Sequence, residues 1–282
     1  MTTRVLVTGA SGYLASRLLT DWQSAATVLG VSRTQPSRDL PWRQLDLSDT
    51  AAIIRCLIEF RPDAVVHCAA AQAGATDRDL LAVNVRAAET IAAWTSAMGV
   101  RSIFVSSDMV HSGDDGPYAD TAKPTPLTPY GRSKAAGERL VAAANKEAVI
   151  IRTSLIYGLE AIDRGTADMA ERLESGQTLT LWSNVIRQPI EIGALSKSIR
   201  RLVDEPDVSG VINIAGAEAM SRADFALAML EYWGYPYERF ADQISLVELG
   251  SQDTVPIDLR LNCERAGALG LSMPGVSTTR IR

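Results

Sequence analysis

The pattern of apolar and polar positions changes character near residue 158. Before that point, short β-branched runs alternate with longer Ala- and Leu-rich segments whose apolar residues recur at helical spacing. Such alternation is typical of βαβ units, in which helical crossovers join parallel strands. The pattern predicts strands at residues 4–7, 27–32, 43–47, 64–67, 102–106 and 148–153, and helices that start at Tyr13, Ala51, Thr76 and Tyr130.

After residue 158 the pattern is less regular, with helices predicted near residues 166–175, 193–204 and 221–233 and strands at 178–182 and 211–214. Ser221 has the character of an N-cap for the last of these helices. We predict an α/β fold with a doubly wound parallel sheet (Rossmann) and a smaller C-terminal substrate-binding lobe. Its dinucleotide-binding domain spans residues 1–157, rejoined by about 187–215, and the substrate-binding lobe spans 158–186 and 216–282.

The amino-acid composition limits the classes of function that the chain can have. Hydrophobic residues make up 46% of the chain, which is enough for a large core, and a net charge of −5 argues against a nucleic-acid groove. No apolar run reaches membrane-spanning length, so we expect no membrane partner. Three scattered cysteines favour a reducing, cytoplasmic location, and with only two histidines we expect no histidine-rich metal centre.

Two glycines stand where the first predicted strand turns into the first helix. Gly9 allows the tight turn, and Gly12 lets backbone N–H groups approach a pyrophosphate at the positive end of the helix dipole. Ala15 takes the place of a third glycine and is small enough for the helix to pack closely on the sheet. An isolated GxxG is most often an ordinary turn, but here the strand, the helix and the N-terminal position favour dinucleotide binding.

The end of the second predicted strand indicates which dinucleotide is bound. NAD-specific sites usually place Asp or Glu there, whereas this chain has Ser32 and Arg33. A guanidinium presents a rigid fork of donors that suits the 2′-phosphate of NADP. We therefore predict that NADP(H) is preferred and that NAD(H) is the alternative, although a solvated surface arginine accounts for Arg33 almost equally well.

Tyr130 and Lys134 lie four residues apart in a predicted helix, and so share one face. A free tyrosine has a pKa near 10 and exchanges protons poorly at neutral pH. A neighbouring ammonium and an oxidised nicotinamide would stabilise the phenolate. The competing interpretation is a packed tyrosine beside a solvated lysine, and the distance from the glycine turn favours the catalytic one.

A buried strand ends upstream in the hydroxyls of Ser106 and Ser107. Active sites of open α/β sheets lie at the carboxyl ends of strands, where a serine can hydrogen-bond a substrate carbonyl while Tyr130 supplies the proton. We favour Ser107 as the catalytic serine because Asp108 follows it. The competing interpretation is that both serines only cap the strand.

The glycine turn, the Ser106-Ser107-Asp108 strand end and the Tyr130 to Lys134 segment together resemble the extended short-chain dehydrogenase/reductase family. Within it the chain most resembles the dTDP-4-dehydrorhamnose reductase branch, strongly up to about residue 158 and weakly beyond. The resemblance implies catalytic roles for Ser107, Tyr130 and Lys134. It implies cofactor contacts from Gly9, Ser11, Gly12, Tyr13, Leu14, Ser32, Arg33, Asp46, Leu47, Ala69, Ala70, Asn84, Tyr130 and Lys134.

The branch implies reduction of a 4-keto nucleotide sugar by NAD(P)H. We expect Asp108 and Arg187 to lie on the substrate side, although a structural ion pair is the stronger interpretation for Arg187. Met109, His111 and Ser112 stand where the branch shows Tyr, Phe and Asp, so the substrate pocket is expected to differ.

Two alternatives use the same fold. One is a nucleotide-sugar epimerase or 4,6-dehydratase, of which the dehydratase is disfavoured because Met109 replaces the expected glutamate. The other is a non-catalytic NAD(P)-binding regulatory subunit, since the regulatory subunit of methionine adenosyltransferase resembles the same branch. Beyond the small-molecule substrate, the sequence is compatible with a homodimer.

Overall fold

A computed structural model describes residues 2–250, 255–271 and 273–280 of the chain. Its centre is a parallel sheet of seven strands in the order β3-β2-β1-β4-β5-β6-β11. Residues of β1 alternate between the two faces, with Val5 and Val7 in one core cluster and Leu6 in another. The strands of the sheet are β1 (Arg4–Thr8), β2 (Thr27–Ser32), β3 (Trp42–Gln44), β4 (Ala64–His67), β5 (Arg101–Val105), β6 (Val149–Arg152) and β11 (Gly210–Asn213).

Helices cover both faces of the sheet, and each face has its own apolar core. On one face pack α1 (Tyr13–Trp22) and α7 (Ile192–Asp204). On the other pack α2 (Thr50–Phe60), α4 (Ala88–Met98) and α5 (Pro129–Ala144). The short helix α3 (Asp77–Asp79) continues through a π-helix (Leu80–Ala87) into α4.

The chain reverses its direction of travel across the sheet between β1 and β4, which are neighbours in space. At such a switch point the connecting helices leave to opposite faces, and a crevice opens beyond the carboxyl ends of the strands. The fold therefore places the ligand cleft next to the turn after β1.

A smaller cluster of elements follows β6 and has a core of its own, which includes Leu173, Leu179, Leu230 and Phe240. The short strands pair in twos: β10 with β7, β12 with β9, and β13 with β8. Its helices and strands are β7 (Ile156–Tyr157), α6 (Arg164–Glu174), β8 (Leu179–Trp182), β9 (Ile186–Arg187), β10 (Ile190–Glu191), β12 (Met220–Ser221), α8 (Arg222–Tyr232), α9 (Tyr237–Phe240) and β13 (Ile244–Val247). The helical segments that remain are two 3-10 helices (Asp108–Val110 and Ala241–Gln243), α10 (Glu264–Ala268) and α11 (Val276–Arg280).

The predicted α/β fold with a doubly wound parallel sheet is confirmed. The third strand differs, since residues 43–47 were predicted and the strand is Trp42–Gln44. Leu45 and Leu47 are buried, but they lie in the loop beyond the paired residues. The bounds of the two lobes stay a prediction. In the described part of the chain, no helix is both long and apolar enough to cross a bilayer.

Candidate active site

One cleft of about 900 Å³ lies along the carboxyl ends of the sheet strands. Its wall is built from the segments that follow β1, β2, β3, β4, β5 and β6, together with residues of α5 and of the smaller lobe. Predicted site residues that line it are Gly9, Ser11, Gly12, Tyr13, Leu14, Ser32, Arg33, Asp46, Leu47, Ala69, Ala70, Ser107, Tyr130, Lys134 and Arg187. The cleft therefore brings together residues that are far apart in the sequence.

The glycine turn packs closely against the segment after β4 and brings the N-terminus of α1 to the cleft. Gly9 has a φ of +80°, and a Cβ at this position would lie 2.9 Å from the Cα of Ala69. The Gly9 amide donates to the carbonyl of Val31, and the Gly12 amide donates to the carbonyl of Gly9. Among the residues that the structure describes, no side chain caps the N-terminus of α1, and that helix end is therefore available to an anion. The chain's own residues thus fit a dinucleotide pyrophosphate.

The wall beyond β2 carries Arg33 and Thr34, both exposed. The Thr34 hydroxyl donates to Ser11 Oγ over 3.1 Å, which links this segment to the glycine turn. The pKa of Asp46 is lowered, first by the Ser48 amide that donates to it and also by the positive charge of Arg33. Arg33 and Asp46 are therefore neighbours in the cleft wall.

Tyr130 lines the cleft in the first turn of α5. Thr128 caps this helix by accepting the Gly131 amide over 3.0 Å, and Pro129 occupies the first turn, so the helix begins one residue before the predicted start. A Cβ at Gly131 would overlap the carbonyl oxygen of Met109. The glycine therefore allows α5 to pack directly against the segment that carries Ser107.

The Tyr130 phenol remains protonated at neutral pH. Burial and then the negative charge of Asp108 raise its pKa to about 12, against the opposing effects of the Ser107 hydroxyl and the Arg187 guanidinium. The sequence had led us to expect Lys134 to stabilise the phenolate. Lys134 is not among the groups that act on the phenol in the structure, because its ammonium is directed to the strand end instead.

Lys134 is 1% exposed, and its Nζ donates to the carbonyl oxygen of Val105 over 2.7 Å. The same Nζ lies 4.1 Å from the centroid of the Phe104 ring. Burial lowers its pKa to about 8, in spite of the charge of Glu138 one helical turn further along. The solvated lysine of the competing interpretation is not what the structure has.

The two strand-end serines differ in their partners. The Ser106 hydroxyl donates to Glu138 Oε1 over 2.6 Å, and Glu138 also forms a buried ion pair with Arg152 at 2.8 Å. Ser106 is therefore committed to an interior network. The Ser107 hydroxyl donates to Asp108 Oδ1 and accepts from the Met109 amide, each over 3.2 Å, and so caps the 3-10 helix that follows β5. Ser107 is also half-buried and lines the cleft, and its hydroxyl lowers the pKa of Tyr130, so it is the serine that can meet a ligand next to the phenol.

Asp108 and Asn84 lie behind the cleft wall, not in it. Asp108 is 0% exposed, and its two carboxylate oxygens accept hydrogen bonds of 2.8 and 2.7 Å from Arg187, which itself lines the cleft. Because Arg187 holds both oxygens, the Asp108 carboxylate supports the wall and does not face a substrate. Arg187 forms the ion pair that we expected as the stronger interpretation.

Asn84 connects the cleft wall to the helix that carries Tyr130. It lies in the π-helix and is fully buried; its side-chain amide exchanges two hydrogen bonds with the backbone of Ala71 and donates to Ser133 Oγ. Ser133 in turn donates to the Tyr130 carbonyl. Asn84 thus positions Tyr130 through other residues and does not itself reach the cleft.

The sequence interpretation missed Arg222, which lines the cleft from the smaller lobe, and the Glu138–Arg152 pair beneath it. Glu138 repeats the spacing of Tyr130 and Lys134 along α5, a signal that could have been used. For Arg222 the sequence offers no comparable signal, because only the folded lobe brings it to the cleft.

The sheet order is that of the extended short-chain dehydrogenase/reductase class, as the sequence predicted. Within this class, the chain belongs to the RmlD substrate binding domain family, whose model matches residues 3–266.

Three comparisons place the chain among known proteins. The structure of dTDP-4-dehydrorhamnose reductase from Bacillus anthracis in complex with NADP has a TM-score of 0.84 and 21% identity, over 100% of this chain and 98% of that one. Agl14 of Haloferax volcanii, a probable low-salt glycan biosynthesis reductase, is 32% identical over 81% of this chain and 79% of its own. Methionine adenosyltransferase 2 subunit beta of Rattus norvegicus is 26% identical over 95% of this chain and 83% of its own.

Proposed function

We propose that the protein reduces the carbonyl group of a nucleotide-linked keto sugar with NAD(P)H. The observation that carries the proposal is the convergence of Ser107, Tyr130 and Lys134 with the glycine turn on one cleft at the switch point of the sheet. The names of Agl14 and of the Bacillus anthracis enzyme, both reductases, support it.

Ser107, Tyr130 and Lys134 have separate roles in the proposed reduction. Ser107 donates a hydrogen bond to the substrate carbonyl and stabilises the oxyanion that develops there. Tyr130 holds a proton at its phenol oxygen, since its pKa of about 12 keeps it protonated, and delivers this proton to the same oxygen. A bound nicotinamide supplies the hydride. Lys134 holds positive charge next to the strand end, where it lines the cleft and can bind the cofactor.

Oxidation of NADPH over a panel of keto sugar nucleotides and simple ketones tests the proposal. We expect turnover with at least one keto sugar nucleotide, and Tyr130→Phe should lower kcat by about 100-fold or more while cofactor affinity stays within a few-fold. Ser106→Ala is a useful comparison, because Ser106 also lines the cleft but its hydroxyl donates to Glu138 Oε1. Full activity of Tyr130→Phe would remove the proposed proton donor.

We also propose that NADP(H) is preferred. Arg33 is exposed in the cleft wall next to Thr34, and no acidic residue stands at the end of β2 to hydrogen-bond a ribose 2′-hydroxyl. Steady-state kinetics with both cofactors checks the preference, and a KM that is lower for NADH than for NADPH would contradict it. The homodimer and the cytoplasmic location stay predictions from the sequence.

The second candidate is a regulatory subunit, and the coverage of 95% of this chain by methionine adenosyltransferase 2 subunit beta favours it. Tight NADPH binding without turnover of any ketone in the panel would shift the proposal to this function. An epimerase or dehydratase is less well supported, because Met109 offers no acid and Asp108 is held by Arg187. Epimerisation of a sugar nucleotide without net NADPH consumption would support the epimerase instead.

A further inference from the structure

The backbone at the end of β2 is fixed at three successive carbonyls. The Ser32 carbonyl accepts the Leu45 amide over 2.9 Å. The Arg33 carbonyl accepts the side-chain amide of Gln44 over 3.1 Å. The Thr34 carbonyl accepts the Ser32 hydroxyl over 2.7 Å. The segment that carries Arg33 into the cleft wall therefore has a defined path, although Arg33 and Thr34 belong to no strand or helix.

The indole of Trp42 completes this arrangement from outside the cleft. Its Nε1 donates to Ser32 Oγ over 2.7 Å. The ring belongs to β3, is half-buried and packs against the core on the α1 face of the sheet. In the described part of the chain, Trp42 is not among the residues that line the cleft. Any effect of Trp42 on a ligand must therefore pass through Ser32.

The hydroxyl of Ser32 is fully used in donation. A serine hydroxyl has one proton, and here that proton goes to the Thr34 carbonyl. The N–H of Trp42 occupies a lone pair of the same oxygen and so keeps the proton directed to Thr34. Ser32 lines the cleft, but its contribution is to hold the neighbouring backbone and not to donate to a cofactor.

This backbone bears on cofactor binding because Arg33 is exposed and long. An exposed arginine loses rotamer freedom when it binds a phosphate, and a fixed backbone reduces the part of the chain that must still be ordered. Thr34 adds a second constraint, since its hydroxyl donates to Ser11 Oγ of the glycine turn over 3.1 Å. The distance between the Arg33 segment and the glycine turn is therefore set before any ligand arrives.

We propose that Trp42 is a positioning residue that maintains the preference for NADP(H) over NAD(H). It acts through Ser32 and Thr34 on Arg33, whose guanidinium is the group suited to the 2′-phosphate. The inference rests on the cofactor preference proposed above and names a residue that maintains it. Because the two cofactors differ only in the 2′-phosphate, loss of the Trp42 N–H should weaken the binding of NADP(H) and not that of NAD(H).

Calorimetric titration of the protein with NADP⁺ and with NAD⁺ tests this role and needs no turnover. Trp42→Phe keeps an aromatic ring in the core and removes the N–H. We expect the Kd for NADP⁺ to rise roughly 3- to 10-fold, the loss of one neutral hydrogen bond, while the Kd for NAD⁺ changes by less than about 2-fold. Trp94→Phe is the matched control, because Trp94 is also half-buried but packs against the core on the opposite face of the sheet.

Two further variants test whether the effect passes from Trp42 through Ser32 to Arg33. Ser32→Ala is a smaller change that removes the hydroxyl itself. It should reduce the NADP⁺ preference as Trp42→Phe does, and the two changes together should cause no further loss. In Arg33→Ala there is no guanidinium to position, so adding Trp42→Phe should leave the ratio of the two Kd values unchanged.

Three results would overturn the role of Trp42. These are an unchanged ratio in Trp42→Phe, an equal weakening of NADP⁺ and NAD⁺ binding, and a loss of preference that persists in the Arg33→Ala background. Failure of the proposed cofactor preference looks different, because Arg33→Ala would then have the same ratio as wild type, and the role of Trp42 would be overturned with it. A preference that depends on Arg33 but not on Trp42 overturns the positioning role alone.

Discussion

The Asp108–Arg187 pair makes a sharp prediction about stability, because both partners are almost wholly buried. The side chains are 0% and 7% exposed, and two hydrogen bonds of 2.7 and 2.8 Å join them. Breaking a buried pair by removing one partner costs about 3–5 kcal/mol, since the other charge is left without compensation. We expect Asp108→Asn and Arg187→Gln each to lower the free energy of unfolding by that amount.

Arg222 adds a second test of the same reasoning. In Asp108→Asn the like charges of Arg187 and Arg222, which both line the cleft, would lose the negative charge that offsets them. Removing one of these charges should relieve the repulsion, so Asp108→Asn with Arg222→Gln should be more stable than Asp108→Asn alone. The double variant Asp108→Asn with Arg187→Gln should also cost less than the sum of its single changes, by about 2 kcal/mol.

Urea unfolding followed by circular dichroism measures these differences, provided that the slope of the transition stays constant among variants. Arg43→Gln provides the control. Arg43 and Glu59 are as close, at 2.6 Å, but their side chains are 44% and 60% exposed, and exposed pairs contribute about 0–1 kcal/mol. Two results would contradict the reasoning. One is that Asp108→Asn lowers the free energy of unfolding no more than Arg43→Gln does. The other is that the effects of Asp108→Asn and Arg187→Gln simply add in the double variant.

Two further predictions concern α5. The pKa of Lys134 is about 8 in the folded chain, against an ordinary value of 10.5. Between these two pH values the unfolded chain binds more protons than the folded chain, so the folded chain becomes more stable as the pH rises. The free energy of unfolding of wild type, relative to that of Lys134→Met, should therefore increase by about 2–3 kcal/mol from pH 7 to pH 10. Urea unfolding at both pH values measures this difference. If the difference does not change with pH, the ammonium is not buried as described. Gly131→Ala should lower the free energy of unfolding by about 2 kcal/mol and lower kcat, because the added Cβ would overlap the Met109 carbonyl and displace Tyr130. A crystal structure of the variant with Tyr130 in its original place would argue against this explanation.

The sequence was sufficient for the parts of the site that depend on strand order. Parallel strands end on one edge of the sheet, so the glycine turn, Ser107 and Tyr130 could be expected to meet once the βαβ pattern was recognised. The partner of Arg187 could not be found in the same way. Asp108 lies 79 residues earlier in the chain, and the pairing depends on how the smaller lobe packs, which no local pattern encodes.

Burial explains the other differences. A strand was predicted over residues 43–47, but β3 ends at Gln44, and the buried Leu45 and Leu47 lie in the loop that follows. An apolar pattern does not distinguish a paired edge strand from a buried loop. Similarly, i and i+4 spacing put Lys134 on the face of Tyr130, yet it does not reveal that the ammonium would turn to the Val105 carbonyl. Only the structure shows which of several partners a long side chain selects.

The state of the Tyr130 phenol bears on the direction of the reaction, which the sequence left open. Reduction requires a protonated phenol, whereas oxidation of an alcohol requires a phenolate to accept the proton. Burial and the charge of Asp108 keep the pKa near 12, so the donor form dominates at neutral pH. An alkoxide is a far stronger base than a phenolate, so transfer from Tyr130 is favourable even at this pKa. The site as folded therefore holds the proton-donor form that the proposed reduction needs.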